Sequence, residues 1–349
     1  MTGESEVVAG REDAHEAAGS DAADARGGAL TSADAGAGQD SFLLRLTVQL
    51  AAGLQDLDPA RAARHRDFLL TFQREDGGFS GRAGGSDLYY TSFAVRALAL
   101  LGALDDASAG KLASYLKRTA QQPGYSLIDL VGWFYSAITV QLAGGLAAFD
   151  DFESLADEVS NGLETFRRSD GGYAKTHEGG AGSTYHTFLA VLCYELLGRA
   201  TPDTNSIVRF LLSRRREDGG FVEIGPMRRG GTNPTAAAAV LLQRFGAADA
   251  DVLSGVARFL DLVKGGEGGL RANTQIPFCD LLSTFTGLLT AHELGLADRI
   301  DAQACADFVE SLEEGAGGFR GAAWDAEADP EYTFYGLGSL ALLGAAGRR

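Results

Sequence analysis

Glu75-Asp76-Gly77-Gly78-Phe79 opens a phrase that the chain repeats. Ser169-Asp170-Gly171-Gly172-Tyr173 and Glu217-Asp218-Gly219-Gly220-Phe221 restate it closely, and Gly268-Gly269-Leu270 and Gly317-Gly318-Phe319 shorten it. Gly77 and Gly171 lie 94 residues apart, with a worn copy, Pro123-Gly124-Tyr125, between them. Six units of about 48 residues follow, and such a period marks a supersecondary element that buries its apolar face only by stacking on its neighbours.

Each unit carries two helical patterns. Gly102, Gly144, Gly198, Gly246, Gly295 and Gly344 close the first, and counting back 15 residues gives Asp87, Asp129, Ser183, Gly231, Asp280 and Asp329. All are good or tolerated N-caps. Between cap and glycine run stretches such as TSFAVRALALLG and TFLAVLCYELLG, apolar on every side and therefore buried. Thr91, Trp133, Thr187, Thr235, Thr284 or Thr333 stands 11 residues before each closing glycine. The second pattern, as in NSIVRFLLSRRR, is apolar at i, i+3, i+4 and i+7, which predicts a half-exposed helix. The predicted fold is all-α: a closed barrel of six helix pairs over residues 41–349, with buried helices inside. The capped N-termini then meet at one rim, where a ligand is expected.

Residues 1–40 are rich in Ala, Gly, Asp and Glu with almost no large apolar side chain, which predicts a disordered acidic tail. The net charge of −17 argues against a nucleic-acid partner. No window is long and apolar enough for a membrane span. Three cysteines without a paired spacing, and a start without a basic stretch leading into an apolar core, give the expectation of a cytoplasmic protein.

The DGGF loops and the helices that follow resemble the prenyltransferase and squalene-oxidase repeat. Specifically, they resemble the β subunit of protein prenyltransferases of the Rab geranylgeranyl type. The likeness spans residues from about 41 to 345. It is closest at His177–Thr187, with Ala181-Gly182 and Tyr185 in register, and at Gly317–Gly344, with Asp329-Pro330-Glu331-Tyr332-Thr333. The resemblance implies an isoprenoid or its diphosphate as ligand, transfer of the prenyl group to a thiol, a zinc ion, and a helical α-type partner subunit.

Carried over position by position, it places Asp280 at the zinc aspartate, with Cys279 beside it as a candidate ligand. Leu282 and Tyr332 stand where the family has its Cys and His. Asp280, Tyr332 and Tyr185 become the candidate catalytic residues. His177, His186 and Arg271 are the candidates nearest the diphosphate positions. Aromatic side chains on the inner helices suit an isoprenoid chain. Tyr89, Tyr90, Trp133, Phe134, Tyr185, His186, Phe285 and Phe334 form the expected lining, with Trp133 in the funnel. The competing reading is a non-catalytic isoprenoid-binding or protein-interaction scaffold on the same fold. A terpene-cyclase-like enzyme is a lesser alternative, because no Asp-x-Asp-Asp occurs in the chain.

Overall fold

A computed structural model describes residues 41–120, 126–144, 148–149 and 151–346. The expected acidic tail and the worn repeat at Pro123-Gly124-Tyr125 lie outside these residues. Six inner helices form the barrel wall: α3 (Leu88–Leu100), α5 (Leu127–Gly144), α7 (Thr184–Leu196), α9 (Thr232–Arg244), α11 (Leu281–Glu293) and α13 (Pro330–Ala346). Each packs on the next, and α13 packs back on α3, so the ring is closed. Six outer helices surround them: α2 (Pro59–Leu70), α4 (Asp106–Thr119), α6 (Phe152–Glu164), α8 (Thr204–Ser213), α10 (Ala250–Val263) and α12 (Ala302–Ser311).

The Gly-Gly-aromatic phrase is the joint between repeats. Its first glycine takes a left-handed conformation against the backbone of an outer helix. A Cβ on Gly219 would lie 2.1 Å from the carbonyl oxygen of Gly255 on α10. At Gly317, with φ of 99°, it would lie 2.3 Å from the Arg64 carbonyl oxygen on α2. The last repeat thus uses the same contact to reach the first outer helix, and only glycine fits so close an approach. The aromatic residue then plugs the wall. The backbone N–H groups of Phe79, Tyr173, Phe221, Leu270 and Phe319 donate to the hydroxyls of Thr91, Thr187, Thr235, Thr284 and Thr333. These buried donors would otherwise be orphaned, which explains the recurring threonine.

The aspartate before the glycines ties the loop. Asp170 accepts from the N–H groups of Gly172 and Gly182, and Asp218 does the same for Gly220 and Gly230. Asp87, Ser183, Asp280 and Asp329 cap their helices as expected, each accepting from an N–H three residues on. Asp129 differs. Helix α5 starts three residues earlier than that count, and Asp129 and Ser126 accept from each other's backbone N–H as a capping box. Gly344 does not end a helix either, since α13 runs on to Ala346.

One helix belongs to no pair. α1 (Phe42–Gly53) lies across the C-terminal ends of the inner helices. The Phe42 N–H donates to Glu195 at the end of α7 over 2.9 Å, and Arg45 pairs with Glu293 at the end of α11 over 2.9 Å. Phe42, Leu46 and Leu50 are buried beneath it. The barrel therefore has a floor at this end, and its N-terminal rim is the other end. No helix among the described residues is long and apolar enough to cross a membrane.

Candidate ligand site in the barrel

Between the α1 floor and the rim lies a cavity of about 80 Å³, smaller than the roughly 300–1,000 Å³ of small-molecule sites. Sequence accounts for the hollow. Helix α9 contributes Ala236, Ala237 and Val240 to the lining, where other inner helices contribute rings. Phe188 on α7 and Phe285 on α11 flank it, and Phe334 and Tyr335 on α13 continue the aromatic wall. Phe285 stacks edge-on against Phe334 at 5.5 Å, and Phe93 against Tyr335 at 5.3 Å. Such a wall offers rigid apolar area at little conformational cost.

Polar groups are few and placed in two layers. Near the rim, the Tyr89 hydroxyl donates to Glu331 over 2.7 Å. Burial pushes the Glu331 carboxyl up to about 7; neighbouring Asp329 adds to this, while the Tyr89 hydrogen bond and Arg82 oppose it. Deeper, Arg96 is the one charged residue on the cavity lining among the described residues. Its guanidinium carbon sits 4.6 Å from the centre of the Tyr135 ring and within 5.8 Å of those of Phe93 and Phe334. Burial raises the phenols of Tyr185 and Tyr335, and the charge of Arg96 acts against that rise in both.

A family model for the prenyltransferase alpha-alpha toroid domain matches residues 42–222, 131–248 and 225–349. The chain belongs to the prenyltransferase α–α toroid family. A search of curated proteins finds no match. Among solved structures this toroid is similar to the Candida albicans protein geranylgeranyltransferase-I complexed with GGPP. That match has a TM-score of 0.63 at 14% identity, over 80% of this chain and 90% of that one. It is also similar to a type II terpene cyclase from Scytonema in complex with geranylgeranyl dihydroxybenzoate (TM-score 0.56, 14% identity, 88% and 99% covered). A third is an alpha-1,6-mannanase from Salegentibacter (TM-score 0.56, 12% identity, 82% and 98% covered). At such identities the likeness is one of fold.

The toroid distributes the sequence-predicted site residues unevenly. Tyr185, Phe285 and Phe334 line the cavity, and Tyr89 stands toward the rim with Tyr90 edge-on to it at 5.3 Å. Trp133 and Phe134 do not face the cavity. The Trp133 indole donates to the Leu116 carbonyl on α4 over 2.8 Å, and Phe134 stacks on Phe152 of α6. On α5 the inward ring is Tyr135, one and two residues further along a helix that turns about 100° per residue.

The three candidates for diphosphate contact make separate contacts, and the His186 Nε2 is buried without a partner among the described residues. His177 stacks on Phe166 at 4.1 Å and sits 3.2 Å from the Thr165 hydroxyl. His186 meets the Ser183 hydroxyl at 2.6 Å. Arg271 donates to the Leu262 carbonyl at the end of α10 over 2.6 Å.

The zinc candidates do not form a ligand set. Both oxygens of Asp280 accept from Ser283, one from its N–H and one from its hydroxyl. The Cys279 sulfur is directed at Gly265, where a Cβ would lie 2.1 Å away, and burial near Glu267 pushes its thiol up to about 12. That environment disfavours the thiolate a metal needs. Leu282 lines the cavity, and Tyr332 lies under Arg82 with its ring centre 5.7 Å from the guanidinium. No group of three or more His, Cys, Asp or Glu comes together among the described residues. These residues do not fit a zinc ion.

Sequence reading missed Arg96 and the α1 floor. Arg96 is one cation in an otherwise apolar run, a pattern equally suited to a residue at a helix surface. Its signal was the unbroken apolar stretch on both sides, which leaves it no exposed face to occupy.

Proposed function

We propose that this toroid binds an isoprenoid chain in its barrel, with the apolar length between the α1 floor and the rings of Phe188, Phe285 and Phe334. The observation that carries this reading is the lining of the cavity, apolar and aromatic around Arg96. A barrel built only for stability would fill its axis to the packing density of a protein interior, whereas this one sets an alanine-faced helix against an aromatic wall. The Candida enzyme holds GGPP and the Scytonema enzyme a geranylgeranyl substrate in the same fold, which supports the ligand class.

Chemistry on the bound chain is a second reading, favoured by Glu331. A carboxyl group brought to about 7 and held by a tyrosine hydroxyl can exchange a proton near neutral pH. Zinc-dependent thiol prenylation has no matching donor set in these residues. Asp280 is read as a cap, and Tyr332 as packing beneath Arg82.

Native mass spectrometry with geranylgeraniol and GGPP, each with and without zinc, tests the reading. A one-to-one lipid adduct that is indifferent to zinc is expected. Absence of any adduct in all four samples overturns it.

A further inference from the structure

Other part-buried arginines of the barrel have carboxylate partners or, like Arg168 and Arg216, backbone carbonyls. Arg214 pairs with Asp170 over 2.8 Å, Arg61 with Glu313, and Arg82 with both Asp325 and Asp329. Arg96 has neither an ion pair nor a hydrogen bond among the described residues, and its Nε is buried without a partner. Three rings hold it in place by their faces. The hydroxyls of Tyr185 and Tyr335, on the same cavity lining, likewise make no hydrogen bond among the described residues. A planar five-donor fork and two phenols therefore share one largely apolar chamber that holds no carboxylate among the described residues, its other polar groups being those of Thr47, Tyr135, Asn233 and Thr286. Burying a charge in this way is costly unless an opposite charge arrives.

We propose that Arg96, with Tyr185 and Tyr335, forms the receptor for a single carboxylate on the ligand, so that the toroid takes a prenyl-chain acid rather than a prenyl diphosphate. This rests on the reading of the cavity as an isoprenoid site. The number of cations decides the class. One guanidinium balances one negative charge and matches a carboxylate in bidentate geometry. A diphosphate carries two or three charges and would need further cations at this depth. Among the described residues none lines the cavity, and His177, His186 and Arg271 lie outside its lining. The site also disfavours a carbocation close to Arg96, since like charges repel in a low-dielectric chamber.

The test is isothermal titration calorimetry at pH 8 with geranylgeranoic acid, geranylgeraniol and GGPP, on the native chain and on Arg96→Gln and Arg96→Lys. The native chain is expected to bind the acid about tenfold or more tightly than the alcohol, the acid being the only one of the two to meet the charge-assisted fork. GGPP is expected to bind less tightly than the acid. Arg96→Gln removes the preference for the acid over the alcohol, while Arg96→Lys keeps part of it. Thermal melts check that both variants are folded. Equal binding of acid and alcohol overturns the carboxylate receptor yet leaves the isoprenoid site standing. So does a loss in Arg96→Gln that is the same for both ligands, or tighter binding of GGPP than of the acid. Failure of all three ligands to bind overturns the isoprenoid site itself.

Discussion

The loop girdle and the barrel interior treat polar groups in opposite ways. In the girdle, Asp170 holds three partners and Asp218 and Arg82 two each, and the repeated threonines close off the buried N–H groups of the plug residues. Inside, Arg96 and the phenols of Tyr185 and Tyr335 have none among the described residues. Satisfied networks specify one arrangement of the chain, and unsatisfied groups wait for something from outside. The difference teaches where to look: among the described residues stability is written five times over in the loops, and binding is written once in the departures from the repeat.

Breaking the girdle has the largest expected effect. Gly317→Ala places a Cβ against the Arg64 backbone at a left-handed position and parts the last repeat from the first. A loss of about 3–5 kcal/mol in chemical denaturation is expected from the overlap and the backbone strain together. Arg82→Ala leaves Asp329, only 2% exposed, without its cation. Opening the same seam electrostatically is expected to cost about 2–3 kcal/mol, read in the same assay.

Glu331 belongs to the boundary between the two regions, and its test is one of pH. Its carboxyl titrates near 7 when folded against 4.5 ordinarily. The folded state therefore favours the protonated form, and this stabilisation is complete below pH 4.5 and lost as pH rises through 7. Native protein should lose on the order of 2 kcal/mol relative to Glu331→Gln across that window, which paired denaturation curves measure. A constant gap between the two curves would place Glu331 in ordinary solvent. The smallest effect is that of Asp280→Ala, about 1 kcal/mol from the lost cap. Lipid binding and its indifference to zinc should survive that change.

Much of this contrast was legible in the sequence, and unevenly so. The repeat period, the caps at Asp87, Ser183, Asp280 and Asp329, and the buried helices all follow from local chemistry that recurs. Direction within a helix does not. A helix that is apolar all round has no polar face to orient it, so Trp133 and Phe134 could not be told from Tyr135, although only Tyr135 faces inward. The α1 floor was hidden for a related reason: FLLRLTVQLAAG reads as one more buried helix, and its position across the barrel end depends on Glu195 and Glu293, over 150 residues away. The family resemblance named Asp280 and Cys279 by register, whereas the geometry that decides a metal site lies in where their side chains are already committed.

The central claim is that the hollow in the barrel is a binding site and not a packing defect. Ala237→Phe tests it most directly, because Ala237 lines that hollow on α9. Thermal unfolding and geranylgeraniol binding would be measured on the same preparation. The account predicts a melting temperature within a few degrees of the native value, since the ring enters empty space, together with loss of lipid binding. A variant that binds the lipid as well as the native chain, or one that unfolds because no room exists for the ring, would contradict it.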